Sequence, residues 1–145
     1  MTSRKMYLDI DGVLVAGSST FGLETFIAGH AVEFLSFCLA NYECYWLTTH
    51  CRDGDTSHLM AYLGKASDRV LLRLSREVKP TSWSTLKTEA IDFESDFYWI
   101  DDSPLQYEIE QLEMRGVQDR WIHTDTRKDP DGLLRVMELL PATFT

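Results

Sequence analysis

The sequence predicts an α/β domain of the doubly wound, Rossmann-like kind, three layers built on a parallel sheet of about five strands. Short continuous apolar runs recur along it, notably Met6-Tyr7-Leu8, Cys44-Tyr45-Trp46-Leu47 and Phe97-Tyr98-Trp99-Ile100. The segments between them place apolar residues at helical spacing. Strands that are apolar on both faces belong to parallel sheets covered by helices, because each crossover between parallel strands is usually a helix. The first and last of these runs also stop at aspartates, and in such sheets ligands bind beyond the carboxyl ends of the strands.

In chain order, residues 6 to 10 are expected as the first strand. The Gly- and Ser-containing stretch from about 13 to 29 then reads as a loop or small hairpin. Ala31, Val32, Phe34, Leu35, Cys38, Leu39 and Tyr42 mark a helix, and 44 to 47 the second strand, ended by Thr48. Asp55 is placed to cap a helix over 56 to 64, with Leu59, Met60 and Leu63 inward and Gly64 at its end. Val70-Leu71-Leu72 reads as a third strand and residues 82 to 91 as a short helix. Residues 97 to 100 form the fourth strand, closing on Asp101-Asp102. Ser103-Pro104 opens a helix to about Arg115, stopped by Gly116. Trp121-Ile122 reads as a fifth strand and 131 to 140 as a last helix.

A chain of 145 residues is the length of one ordinary domain. It shows no repeat, low-complexity tract or proline-rich linker, so residues 1–145 read as one domain. The apolar fraction of 44% and charged fraction of 26% are those of a soluble globular protein, and no apolar run is long enough for a membrane span. Nothing at the N-terminus resembles a secretion signal. The three cysteines, Cys38, Cys44 and Cys51, fall on an expected helix, strand and loop and imply no disulfide framework, which fits the cytoplasm. A net charge of -9 weighs against nucleic acid as a partner, since binding its backbone relies on Lys and Arg neutralising phosphates.

Asp9 and Asp11 are the most informative residues. Side chains at i and i+2 of a strand project to the same side, so the end of the first strand aims two carboxylates into one small volume. Like charges that close raise each other's pKa unless a divalent cation or a shared proton relieves them. The rim also receives Thr48 from the second strand and Asp101 with Asp102 from the fourth. Carboxylate pairs, a hydroxyl and a nearby lysine suit phosphoryl transfer to a carboxylate, in which Mg²⁺ neutralises nucleophile and phosphate.

These residues resemble the haloacid dehalogenase superfamily of phosphatases and phosphotransferases. Its four motifs stand in order: Asp9-Ile10-Asp11-Gly12-Val13, Thr48 in Trp46-Leu47-Thr48-Thr49, Lys87 in Leu86-Lys87-Thr88-Glu89, and Trp99-Ile100-Asp101-Asp102-Ser103-Pro104. The resemblance implies that Asp9 is the nucleophile, and that Asp11 protonates the leaving oxygen and later activates water. Thr48 and Lys87 would bind phosphate. Mg²⁺ would be held by Asp9, Asp101 and a backbone carbonyl at Asp11. Gly12 supports the turn, and Asp102 acts through a metal-bound water, orients the lysine or caps the next helix. Thr49 is the substitute for Thr48, and Lys79 for Lys87. His50, Cys51 and Arg52 lie where they could touch substrate.

The intervals between Asp11, Thr48 and Lys87 are too short for the cap domain that many members of that superfamily insert. What remains is a flap over about 13 to 29, whose Phe21 and Phe26 would shield the site from water. By the same resemblance, capless members act on phosphoproteins or polynucleotide ends, or on small phosphorylated molecules when a neighbouring subunit closes the site. Other classes are a catalytically idle Mg²⁺- or protein-binding relative and a receiver-like signalling domain. The latter needs its acceptor on the middle strand, whereas Asp53 and Asp55 lie in a polar loop. A cysteine phosphatase is excluded, since none of the three cysteines has an arginine six residues later.

Overall fold

A computed structural model describes residues 4–18, 25–66 and 68–141. It has an α/β architecture in which a four-stranded, wholly parallel sheet is flanked by helices. The central strand β1 (Lys5–Leu8) lies between β4 (Glu43–Trp46) and β5 (Phe97–Asp101), and β6 (Trp121–His123) pairs with β5 on the far side. Leu8 is in register with both Trp46 and Ile100. The residues just beyond, Asp9, Leu47 and Asp101, therefore end three adjacent strands at one level.

Strand alternation divides the core. Met6, Leu8, Cys44, Trp46 and Ile100 face helices α1 (Ala31–Asn41), α2 (Ser57–Gly64), α3 (Arg69–Ser75) and α5 (Gly132–Leu139) in one apolar cluster. Tyr7, Leu47, Phe97 and Trp99 form a second cluster with Leu112 of α4 (Gln106–Met114). Each cluster is the dry side of one sheet face, as period-two strands require. None of the described helices is long and apolar enough to cross a membrane.

The expected flap is a hairpin of β2 (Val15–Ser18) and β3 (Thr25–Ile27). It is rooted by Val15 and Val13 amides donating to Ile10 O and by Ala28 N to Leu14 O. Phe26 is half exposed on it, and Phe21 lies outside the described residues.

Three expectations change. Val70-Leu71-Leu72 is not a strand but part of α3, because the Asp68 carboxylate accepts the Leu71 amide at 2.8 Å and starts a helical turn. Among the described residues the sheet accordingly has four strands, and the outer edge of β4 is met by a bridge between Tyr45 and Lys79 and by the Thr81 hydroxyl donating to Trp46 O. Residues 82–91 hold only a single 3₁₀ turn, Lys87–Ala90. The amides of Ser84, Thr85 and Leu86 wrap around the Glu89 carboxylate instead of entering a helix. Ser103 does not open α4 either: its amide donates to Asp101 Oδ1 at 2.8 Å, and the helix starts after Leu105, whose amide donates to the Glu108 carboxylate. Gly116 ends α4 as expected, at a positive φ of 70° with Val117 N donating to Leu112 O.

Candidate active site

The rim above β1 gathers a buried charged cluster. Asp9 follows the last residue of β1, its amide still paired to Ile100 O at 3.1 Å, and Asp101 closes β5. Both carboxylates are buried. Lys87 Nζ lies between them, 2.7 Å from Asp101 Oδ2 and 3.2 Å from Asp9 Oδ2. Asp102 completes the group, with one carboxylate oxygen of each of the three aspartates within 4.8 Å of the others.

Each charge is positioned by backbone. Asp9 Oδ1 accepts the Ile10 amide at 2.8 Å. Lys87 opens the 3₁₀ turn, and its amide donates to Glu108 Oε2 at 2.5 Å while Leu105 N donates to Glu108 Oε1 at 2.9 Å. One buried carboxylate on α4 thus ties the lysine turn to the segment following Asp101. Lys79, the substitute, pairs instead with Glu43, so Lys87 is the lysine of the cluster.

Gly12 runs against Asp102: a Cβ there would meet Asp102 Oδ2 at 2.4 Å, and φ is +77°. Both facts demand glycine. On its outer side Asp102 is bound by Arg127, which also pairs with Asp125. The loop carrying Arg127 is fastened to the Gly12 turn by Thr126, through N to Gly12 O at 2.9 Å and Oγ1 to Val13 O at 3.0 Å.

Electrostatics follow from this crowding. Burial first, then the Asp101 carboxylate, push the Asp9 carboxyl up to about 7. Burial and Asp101 raise Asp102 as well. For Lys87, burial opposes the charged form, but Asp9 and Asp101 outweigh it and the ammonium is held on. Lys87 is shared between Asp9 and Asp101 and Arg127 between Asp102 and Asp125, so carboxylates outnumber cations at the rim. A rim of oxygen donors with excess negative charge fits a hard divalent cation such as Mg²⁺. Asp9, Asp101 and Asp102 are the side chains that could hold it.

Asp11 stands apart from that group. Its Oδ2 lies 2.8 Å from His50 Nε2 and its Oδ1 accepts the Tyr62 hydroxyl. Burial alone would raise its pKa, yet these two partners draw it below the usual carboxylate value. It lines a pocket of about 500 Å³ with Gly12, Val15, Ala16, Gly17, Tyr62 and Arg127; Phe26 is not among the lining residues.

Thr48 is fully buried, and its Oγ1 accepts the His50 amide at 3.3 Å. Thr49 is exposed and lines a neighbouring pocket of about 370 Å³ with His50, Arg52, Asp53, Asp55 and His58. Cys51 is buried, its thiol directed at Thr81 O. Arg52 packs its guanidinium 4.5 Å above the Trp83 ring.

Tyr62 and Arg127 were not legible as site residues. Tyr62 shares one face of α2 with His58 at i and i+4, a spacing that also describes a packed helix. Arg127 sits in a polar loop without periodicity. Compared with family profiles, with curated proteins and with solved structures, the chain finds no match.

Proposed function

We propose that the protein is a Mg²⁺-dependent phosphohydrolase of the haloacid dehalogenase kind, a capless Rossmann-like domain over 1–145 that transfers phosphate from a phosphomonoester to Asp9 and then to water. The observation that carries this reading is the Asp9–Lys87–Asp101 bridge with Asp102 beside it, at the carboxyl ends of adjacent parallel strands. Such a buried group is costly as a structural device, since removing ions from water is expensive. It suits a site that must accept phosphate and a cation together.

Asp9 attacks phosphorus through a carboxylate oxygen. The bond from phosphorus to the ester oxygen breaks, and the electron pair leaving with that oxygen takes a proton from Asp11, which is ionised before substrate binds and takes that proton from solvent when the negative phosphate beside it raises its proton affinity. Asp11 then removes a proton from water, the water oxygen attacks the aspartyl phosphate, and the Asp9–phosphorus bond opens to release phosphate and restore the carboxylate. Lys87 balances charge on Asp9 and on the phosphoryl oxygens. Thr48, its oxygen already accepting from His50, keeps its hydroxyl hydrogen for a phosphate oxygen. Mg²⁺, when bound, neutralises the acidic rim so that phosphate can approach it.

Substrates of this open site are phosphorylated small molecules or phosphoproteins, and a second subunit could cover the pocket in the former case. The three cysteines are buried and unpaired, which suits work in a reducing cytoplasm. The test is hydrolysis of an aryl phosphate with Mg²⁺, which Asp9→Asn should abolish. A screen of sugar phosphates, nucleotides and phosphopeptides then identifies the leaving group. Folded protein that neither turns over nor traps beryllofluoride at Asp9 would instead be a cation- or protein-binding module.

A further inference from the structure

Asp11 is the one rim carboxylate with both oxygens engaged by uncharged-capable donors from separate segments, His50 from the loop after β4 and Tyr62 from α2. One hydrogen bond leaves a carboxylate free to swing about the contact; two on different oxygens fix it. The holders are themselves fixed. The His50 ring stacks on Tyr62 with centroids 4.1 Å apart and 18° between planes, and on His58 at 5.3 Å and 14°. His50 Nδ1 lies 3.4 Å from His58 Nδ1, and its amide is bound to Thr48 Oγ1. An ionised Asp11 can only accept, so before substrate binds Nε2 of His50 carries the hydrogen of that contact.

We infer that Tyr62 and His50 are positioning residues for Asp11, a two-point clamp that aims its carboxyl at the leaving oxygen and ties that aim, through Thr48, to the phosphate site. This rests on the phosphohydrolase reading above. The clamp matters where the leaving group cannot depart without a proton. It is idle where the leaving group departs as a stable anion. Misplacing a catalytic group by about 1 Å can cost on the order of 10²-fold, so loss of one holder should be selective for basic leaving groups.

The experiment compares kcat/KM of wild type, Tyr62→Phe and His50→Gln on glycerol phosphate and on 2,4-dinitrophenyl phosphate, with Mg²⁺ present. Because kcat/KM stops at phosphoryl transfer to Asp9, hydrolysis of the common aspartyl phosphate does not enter it. Each variant should lose about 10- to 100-fold on the glycerol ester and less than about 3-fold on the dinitrophenyl ester. Circular dichroism checks folding, and Tyr62→Phe keeps the ring that stacks on His50. Equal losses on both esters, or none on either, would overturn the clamp while wild-type turnover upholds the phosphohydrolase. A wild type inactive on both overturns the two together.

Discussion

The Asp9 carboxyl sits where water cannot easily reach it, and its protonation is therefore coupled to folding. Its folded pKa, about 7, is raised above the ordinary carboxylate value. The stability it contributes is thus fully present below about pH 4 and is lost as pH rises through about 7. Asp9→Asn, which removes the proposed nucleophile, should for this reason raise the Tm of metal-free protein at pH 8 and leave it nearly unchanged at pH 4.5, read by thermal unfolding in EDTA. A destabilised variant at pH 8 would show that Lys87 depends on the Asp9 charge more than burial opposes it.

Among the elements, the 3₁₀ turn of Lys87 is short and anchored from α4, where Glu108 accepts the Lys87 amide and Gln111 accepts the Thr88 hydroxyl. Glu108→Ala would strand the Lys87 and Leu105 amides. This should cost about 1–3 kcal/mol in urea unfolding and lower kcat by about tenfold or more, with a smaller change in KM, because the lysine no longer meets the developing charge. Periodicity alone could not identify this turn, since a carboxylate gathering three amides leaves no helical pattern. The same limit hid α3: three apolar residues fit either a strand or a helix, and only the Asp68 cap distinguishes them. Where an apolar strand ends on an acid, at Asp9 and at Asp101, both the element and the carboxylate brought to its end were legible, because burial of a carboxylate is informative in itself. Tyr62 and Arg127 reach the site through tertiary contacts and leave no local signature.

For the molecule as a whole, a chain of net charge -9 folds so that Asp9 is forced together at one rim with Asp101 and Asp102, which lie far from it in sequence. A divalent cation should then bind the folded state selectively and stabilise it. At a hundredfold excess over its Kd, Mg²⁺ contributes about 2.7 kcal/mol, several degrees of Tm for a chain of this size, reversed by EDTA and weakened by Asp102→Asn. A Tm indifferent to Mg²⁺ at millimolar concentration would count against a cation at this rim.

The Asp9 amide, hydrogen-bonded to Ile100 O across the central strand pair, gives the proposed nucleophile a clock of its own. That hydrogen cannot meet solvent deuterium by the lifting of a loop, only by the parting of β1 from β5. Asp9 is therefore tied to the opening of the central strand pair, while Asp11, two residues on, borders an open pocket. Within a single turn of chain the rigid half of the proposed chemistry is joined to its accessible half.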